Sequence, residues 1–147
     1  MARGIHPTIL SEAGLGPALK ALGRRSGVPI EADVRVDSRL PVPVEVAAYY
    51  VASEALANVA KHAHATRVEL VAAHDDGLLT LEVRDDGVGG VDAGRGSGIV
   101  GLKDRVEALD GTISIASPPG GGTTLSLRLP IAPDAPATVP PTSASTG

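Results

Sequence analysis

The chain has 147 residues, a formal net charge of −4 and 43% hydrophobic residues, but no Phe, Trp or Cys. This length suits one domain whose core is filled by Ala, Val, Leu and Ile. The negative charge argues against a general nucleic-acid or anionic-membrane binder, and the lack of cysteine excludes disulfides and thiolate metal sites. Because no apolar run approaches the roughly 20 residues that span a bilayer, we expect a cytoplasmic domain without direct membrane contact.

The first half of the sequence predicts two helices separated by a strand. Residues 1–9 end near a proline and are interpreted as a joint segment. Apolar residues recur at helical spacing over 14–25, where Pro17 is tolerated in the first turn. Residues 29–36 alternate between apolar and charged side chains, which is typical of a half-buried strand. A long helix over roughly 44–62 follows.

The second half predicts four strands and one more helix. Alternating strands over 67–74 and 78–85 are joined by a hairpin at "HDDG". Between Gly87 and Gly101, seven of fifteen residues are glycine, so no packed element is expected there. A helix from about Ile99 to Leu109 precedes strands over 112–117 and 123–130. Residues 131–147 are rich in Pro, Ala, Ser and Thr and predict a disordered tail.

These elements predict an α+β fold with one domain over 10–130. About five strands form a mixed, mostly antiparallel sheet, and about three helices cover one face. The predicted order of elements is helix, strand, helix, hairpin, glycine-rich loop, helix and a final pair of strands.

The long helix carries polar residues where its neighbours are Ala, Leu and Val. Glu54, Asn58 and His62 are spaced four apart, and Lys61 is seven from Glu54, so all four share one stripe. The stripe is interpreted either as an exposed face with an i,i+4 pair or as the lining of a polar cavity; the apolar flanks favour the cavity. A carboxylate, an amide oxygen and a cation suit hydrated Mg²⁺ and phosphates.

The strand over 78–85 ends in the pattern Asp85-x-Gly87-x-Gly89. The glycines allow backbone to approach a ligand closely, and the carboxylate can only accept hydrogen bonds. A fixed Asp therefore favours adenine, which offers an amino donor where guanine offers a carbonyl. An ordinary turn explains "DDG" equally well, so this pattern is weak by itself.

Gly96, Gly98 and Gly101 match the dinucleotide-binding pattern G-x-G-x-x-G, but their context does not. A loop rather than a strand precedes them, and no acidic residue ends the next strand. Gly96 and Gly101 also have Walker A spacing, yet Leu102 stands where that motif needs lysine. We therefore reject both motifs and retain a glycine-rich loop that leads into a helix N-terminus, a general anion site.

The order and spacing of these patterns are more specific than any one of them. They resemble the N, G1, G2 and G3 boxes of the ATP-binding domain shared by gyrase-type ATPases and bacterial sensor histidine kinases. "NVAKHAHAT", the short glycine loop and "GLKDRVEALDG" resemble the sensor kinases that pair with response regulators of the NarL type. The matching boxes are Glu54-x-x-x-Asn58-x-x-Lys61-His62, Asp85-x-Gly87-x-Gly89, Gly96-x-Gly98-x-x-Gly101-Leu102 and Gly122-Thr123.

The resemblance implies a two-layer α/β sandwich of the Bergerat type in which the long helix lines a cleft for ATP and Mg²⁺. Asn58 would then ligate Mg²⁺, and Glu54 would order water around the metal or act as a base. Lys61 and His62 would meet the phosphates.

The adenine end of the implied cleft is formed by the G1 and G3 boxes. Asp85 would take the adenine amino group, Gly87 and Gly89 would give it room, and Thr123 would close the adenine side. The residues implied at the far end of the lid over the nucleotide are Gly96, Gly98, Val100, Gly101 and Leu102.

The phosphate-accepting histidine of this family has no counterpart in the sequence, and His6, beside Pro7, is a poor candidate. The resemblance therefore implies a catalytic domain that acts on a dimerisation domain absent from this chain, for relay to a response regulator. Three alternatives stay open: an anti-sigma-factor type of serine kinase, a non-catalytic nucleotide- or partner-binding module, and an unrelated glycine-rich fold.

Overall fold

A computed structural model of the chain describes residues 8–25, 28–36, 38–59, 65–87 and 99–131. In chain order the elements are α1 (Thr8–Ala13), α2 (Leu15–Arg24), β1 (Ile30–Arg35), α3 (Val42–Asn58), β2 (Val68–Asp75), β3 (Leu78–Asp85), α4 (Ile99–Ala108), β4 (Thr112–Ala116) and β5 (Thr123–Pro130).

The strands form one sheet in the order β1-β2-β3-β5-β4. β1 pairs with β2 in parallel, whereas the other three neighbouring pairs are antiparallel. The predicted mixed, mostly antiparallel sheet of five strands is confirmed. The parallel pair follows from the chain path, because α3 lies between β1 and β2 and returns the chain to the same end of the sheet.

One face of the sheet carries the core, and the helices pack over that face. Leu70, Leu81 and Leu127 occupy neighbouring positions on it and are fully buried. The opposite face carries Glu82 and Arg84, which alternate with the core residues along β3. The period of two in the sequence therefore identified the buried face of this sheet correctly.

The predicted hairpin joins β2 to β3 at a two-residue turn. Asp76 and Gly77 have φ of 52° and 74°, so both turn residues are left-handed, and Asp75 pairs with Leu78. This arrangement is the type I′ turn that Asp-Gly sequences favour, because its twist matches the twist of the strands.

The chain before β1 holds one helix more than the sequence analysis predicted. α1 begins at Thr8, inside the segment interpreted as a joint, and Gly14 separates it from α2 with a φ of 96°. A helix of six residues is too short to show a periodic pattern, which explains why it was missed. Leu10 of α1 is buried in the same core as Leu15 and Leu19 of α2.

A buried carboxylate lies in the first turn of α3. Glu45 is 2% exposed and accepts hydrogen bonds from Arg39 Nε at 3.3 Å, Arg39 Nη2 at 3.2 Å and the Leu40 N–H at 3.1 Å. These bonds fix the segment between β1 and α3. The hydrogen bond to Glu45, followed by its charge, raises the pKa of Arg39 above its ordinary value. Sequence reasoning did not identify this pair.

The helices in the described ranges are all too short or too polar to cross a membrane.

Candidate functional site

The polar stripe of α3 lies at the boundary between core and surface. Glu54 and Asn58, one helical turn apart, are both half-buried, whereas Val51, Ala52, Ala55 and Leu56 around them are buried. This position agrees with neither a fully solvated face nor a core face. The polar cavity at this stripe stays a prediction; α3 packs against the core with its other side.

Tyr50 extends this stripe by one turn and connects it to α4. The guanidinium of Arg105 in α4 lies 5.8 Å from the centre of the Tyr50 ring, so this side of α3 adjoins α4. The Tyr50 hydroxyl is buried and has no hydrogen-bond partner among the described residues. A buried hydroxyl without a described partner is unusual in a folded protein.

Asp85, the last residue of β3, is the second buried carboxylate of the described chain, with 6% exposure. Its Oδ1 accepts the N–H of Gly87 at 2.8 Å, a turn that fixes the orientation of the carboxyl group. Among the described residues it has no ion-pair partner. A buried acceptor with no cation beside it is costly unless a ligand donates to it.

The start of β5 lies directly beside Asp85. Thr123 is the register partner of Asp85, and its Oγ1 lies 2.7 Å from Ser117 Oγ. Gly122 has a φ of 74°, and a Cβ there would overlap the carbonyl oxygen of Asp85. Only glycine lets β5 enter the sheet this close to Asp85. Sequence analysis named Gly122 in the G3 box but missed this reason for it and missed Ser117.

Asp86 binds the segment that enters β2. Its Oδ1 accepts the N–H groups of Thr66 at 2.8 Å and Arg67 at 3.1 Å, and its Oδ2 accepts the hydroxyl of Thr66. The hydroxyl bond first, and then the backbone bonds, lower the pKa of Asp86 below its ordinary value. Sequence analysis missed this residue because Asp86 was only an unassigned position in the pattern Asp85-x-Gly87-x-Gly89.

The structure brings part of the predicted site together at one end of the sheet. Asp85, Gly87 and Thr123 are adjacent there, and Glu54 and Asn58 lie on the helix that packs over β3 and β5. In α4, Leu102 packs against the core, and a Cβ at Gly101 would meet nothing within 4 Å. Lys61, His62, Gly89, Gly96, Gly98 and the side chain of Val100 lie outside what the structure describes.

A cavity of about 250 Å³ lies elsewhere, between the start of α2 and the end of β1. Gly16, Val34 and Arg39 are among its lining residues. Ile30, at the other end of β1, pairs with Val68, which pairs with Asp85. The cavity therefore lies toward the opposite end of the sheet from Asp85 and is separate from the candidate site.

The donor set around the stripe was tested against the expected metal. No group of three or more His, Cys, Asp or Glu side chains converges within the described ranges. Mg²⁺ usually takes only one or two protein oxygens and completes its shell with water and phosphate oxygens. Asn58 and Glu54, half-buried and one turn apart, offer such a set and fit this ion.

Comparison with known protein families gives a match over most of the folded chain. The model for the family described as "Histidine kinase-, DNA gyrase B-, and HSP90-like ATPase" matches residues 44–133. The matched segment contains α3 from Val44 onward, Asp85 and the start of β5, so it includes every described part of the candidate site.

Two curated relatives and one solved structure illustrate the similarity. Sensor histidine kinase NarS of Mycobacterium tuberculosis is 34% identical over 86% of this chain, and nitrate/nitrite sensor protein NarX of Escherichia coli is 33% identical over 78%. This chain spans 32% of NarS and 20% of NarX. The histidine kinase domain of a blue-light activated kinase from Erythrobacter litoralis matches with a TM-score of 0.66 and 25% identity, over 82% of this chain and 60% of that one.

Proposed function

Because the chain belongs to the family of histidine kinase-, DNA gyrase B- and HSP90-like ATPases, we propose that it binds ATP with Mg²⁺ as the catalytic domain of a sensor histidine kinase. In this role it transfers the γ-phosphoryl group to a histidine nitrogen on a dimerisation domain, and ADP leaves. The names of NarS and of the blue-light activated kinase support this assignment.

The observation that carries the proposal is the environment of Asp85. Its carboxylate is buried, held by the Gly87 N–H and without a cation partner among the described residues. One oxygen is engaged by the turn, which leaves Oδ2 as an acceptor for a donor from a ligand. The adenine amino group is such a donor, so Asp85 selects adenine over guanine, whose carbonyl would face the carboxylate.

We assign the phosphate end of the nucleotide to the stripe of α3. Asn58 holds Mg²⁺ through its amide oxygen, and Glu54 orders the water around it or acts as a base. Lys61 and His62 follow on the same helical spacing and meet the phosphates. Mg²⁺, when bound, neutralises the charge that develops on the phosphoryl oxygens.

The glycine-rich residues complete the nucleotide site in this proposal. Gly87 and Gly89 leave room beside adenine, and Thr123, the register partner of Asp85, closes the adenine side. Gly96, Gly98, Val100, Gly101 and Leu102 form the far end of the lid over the phosphates. The N-terminus of α4 lies at that end, where the helix dipole favours anions.

The partners follow from the proposed role. A catalytic domain that transfers a phosphoryl group to histidine needs a dimerisation domain that carries this acceptor. The acceptor histidine then passes it to a response regulator, which we propose to be of the NarL type because "NVAKHAHAT" and "GLKDRVEALDG" resemble the sensor kinases that pair with such regulators. We place the domain in the cytoplasm, where a chain without cysteine is suited to reducing conditions.

The proposal is tested by calorimetric titration of ATP and GTP, each with Mg²⁺, into the wild-type chain and Asp85→Asn. We expect ATP to bind more tightly than GTP. Asp85→Asn should lower the affinity for ATP by about 10- to 100-fold, because one buried hydrogen bond to a charged group is lost. Asp75→Asn, which removes the same charge at the other end of β2, is the matched control and should bind ATP like the wild type.

Failure of the wild type to bind ATP, or equal binding of ATP and GTP, would contradict the adenine pocket. The chain would then be studied as a partner-binding module.

A further inference from the structure

The carboxylate of Asp85 is oriented by a turn of three residues. Asp85 accepts the N–H of Gly87 at 2.8 Å, so Asp86 is the middle residue of the turn. The orientation of the carboxyl group therefore depends on where the backbone of Asp86 is held.

The backbone ladders on both sides of β3 end at Asp85. Val68 of β2 and Thr123 of β5 are its partners, and no register pair follows on either side. Asp86 is thus the first residue beyond the sheet, where no register pair holds its backbone. Without another anchor the turn would be free to move relative to the sheet.

The side chain of Asp86 supplies that anchor. Its Oδ1 accepts the N–H groups of Thr66 and Arg67 at 2.8 and 3.1 Å, and its Oδ2 accepts the Thr66 hydroxyl. All three donors come from the segment just before β2, so the side chain continues the β2–β3 pairing past its last backbone pair. The lowered pKa of Asp86 agrees with a carboxylate that stays charged to accept these bonds.

The same anchor also holds Thr66, which comes between α3 and β2 in the chain. Thr66 lies eight residues after Asn58, and α3 ends at Asn58. Thr66 follows the proposed metal-binding end of α3 in the chain, and Asp86 follows the proposed adenine-binding end of β3. The hydrogen bonds between Thr66 and Asp86 thus join these two places. An exposed carboxylate that joins these two places is well situated to affect ligand binding.

We propose that Asp86 is a positioning residue of the nucleotide site, which holds the 85–87 turn against Thr66 and Arg67 so that the Asp85 carboxylate faces adenine. This inference rests on the proposed function. Asp86 itself contacts no nucleotide atom in this account and acts through Asp85.

The test compares Asp86→Ala with Asp86→Asn. Asn keeps an acceptor for the two N–H groups and can donate its amide to the Thr66 hydroxyl, so it preserves the anchor without the charge. We expect Asp86→Ala to lower the affinity for ATP about tenfold and to reduce the preference for ATP over GTP. The ATP affinity of Asp86→Asn should stay within about twofold of the wild-type value. Asp75→Ala at the other end of the strand pair is the control and should leave both quantities unchanged.

Two results would overturn the assignment. Wild-type affinity and ATP preference in Asp86→Ala, with only a loss of stability, would reduce the residue to a structural role. Equal weakening in Asp86→Asn and Asp86→Ala would show that the charge acts, rather than the hydrogen bonds. If Asp86→Ala does not fold, Thr66→Val is used instead, because it removes only the hydrogen bond from the Thr66 hydroxyl. This variant should still have a measurably lower affinity for ATP. Wild-type ATP affinity in Thr66→Val would count against the anchor.

Amide hydrogen exchange at Gly87 in the nucleotide-free chain separates this inference from the proposed function. We expect Asp86→Ala to increase Gly87 exchange and Asp86→Asn to preserve it. Unchanged exchange in Asp86→Ala would overturn the positioning role. A wild type that binds no nucleotide, together with the expected exchange pattern, would contradict the function and retain the anchor.

Discussion

The tripeptide Asp-Asp-Gly occurs at both ends of β3, and the two copies have different environments. At 75–77 it forms the β2–β3 hairpin, where Asp76 is left-handed and all three residues are exposed. At 85–87 the first Asp is buried and oriented by Gly87, and the second binds Thr66 and Arg67. Identical local sequence thus serves as a turn in one place and as a candidate binding site in the other.

The difference comes from what surrounds each copy. The hairpin joins consecutive strands through the left-handed conformations of Asp76 and Gly77, and from the β5 side Ile131 donates its backbone N–H to the Gly77 carbonyl at 2.7 Å. At the second copy the aspartate side chains themselves are engaged: Asp85 accepts the N–H of Gly87, and Asp86 accepts N–H groups from the segment just before β2. Tertiary neighbours, rather than the tripeptide, make Asp85 a binding residue in this account.

The largest expected effect tests how tightly β5 packs against the 85–87 copy. Gly122→Ala should lower the free energy of unfolding by about 2–4 kcal/mol, because it combines a left-handed φ with overlap at the Asp85 carbonyl. Gly120→Ala is the matched control: its φ is 77°, but a Cβ there meets nothing within 4 Å. It should cost only the strain, about 1–2 kcal/mol. Urea unfolding measures the free energy of unfolding of both variants. Equal losses in the two variants would contradict a close approach of Gly122 to the Asp85 carbonyl.

The next effect compares the two buried carboxylates. Glu45→Gln should lower the free energy of unfolding by about 1–3 kcal/mol, because it loses charge-assisted bonds from Arg39. Asp85→Asn keeps an acceptor for Gly87 and removes a buried charge without a cation partner among the described residues, so stability should change by less than about 1 kcal/mol. A larger loss for Asp85→Asn would assign Asp85 a structural role.

A smaller effect should appear as a pH dependence at the second Asp of the 85–87 copy. The pKa of Asp86 is lowered from its ordinary value of 3.8, so its contribution to stability is present above that value and is lost as pH falls through the folded-state pKa. The difference in unfolding free energy between the wild type and Asp86→Asn should therefore be constant near neutral pH and change below about pH 4. If this difference in unfolding free energy did not depend on pH, the result would contradict a charged Asp86 carboxylate as the acceptor of these hydrogen bonds.

The smallest effect belongs to the hairpin copy. Asp76→Asn should change the unfolding free energy by less than about 0.5 kcal/mol, because Asn also tolerates the left-handed conformation and no described hydrogen bond depends on the Asp76 side chain. Thermal or urea unfolding at neutral pH measures it. A loss well above ~0.5 kcal/mol would mean that the Asp76 side chain, like that of Asp86, makes a contact that stabilises the fold.

The fold could be predicted from the sequence because its signals are periodic. Alternation in 67–74 and 78–85 identified Val68, Leu70, Leu79 and Leu81 as core residues, and the hairpin turn followed from Asp-Gly. α1 was missed because six residues carry too little periodicity. Arg39 and Glu45 were missed because their pairing depends on how the segment before α3 folds back, which no local pattern records.

The candidate site was predictable only in part. The spacing of Glu54 and Asn58 and the position of Asp85 at a strand end follow from helix and strand geometry. The interaction of Asp86 with Thr66 spans 20 residues and requires the β2–β3 register, so the sequence gives no direct sign of it. The contact between Gly122 and Asp85 likewise depends on β5 pairing with β3.

The most direct test of the central claim is a titration of the ¹⁵N-labelled chain with ATP and Mg²⁺ followed by amide chemical shifts. It observes both copies of Asp-Asp-Gly in one experiment. We predict large shifts at Asp85, Gly87 and Thr123 and none at Asp76 or Gly77, because only the 85–87 copy lies beside the proposed adenine pocket. Shifts confined to the hairpin, or no shift at Gly87 with saturating ATP, would contradict the account.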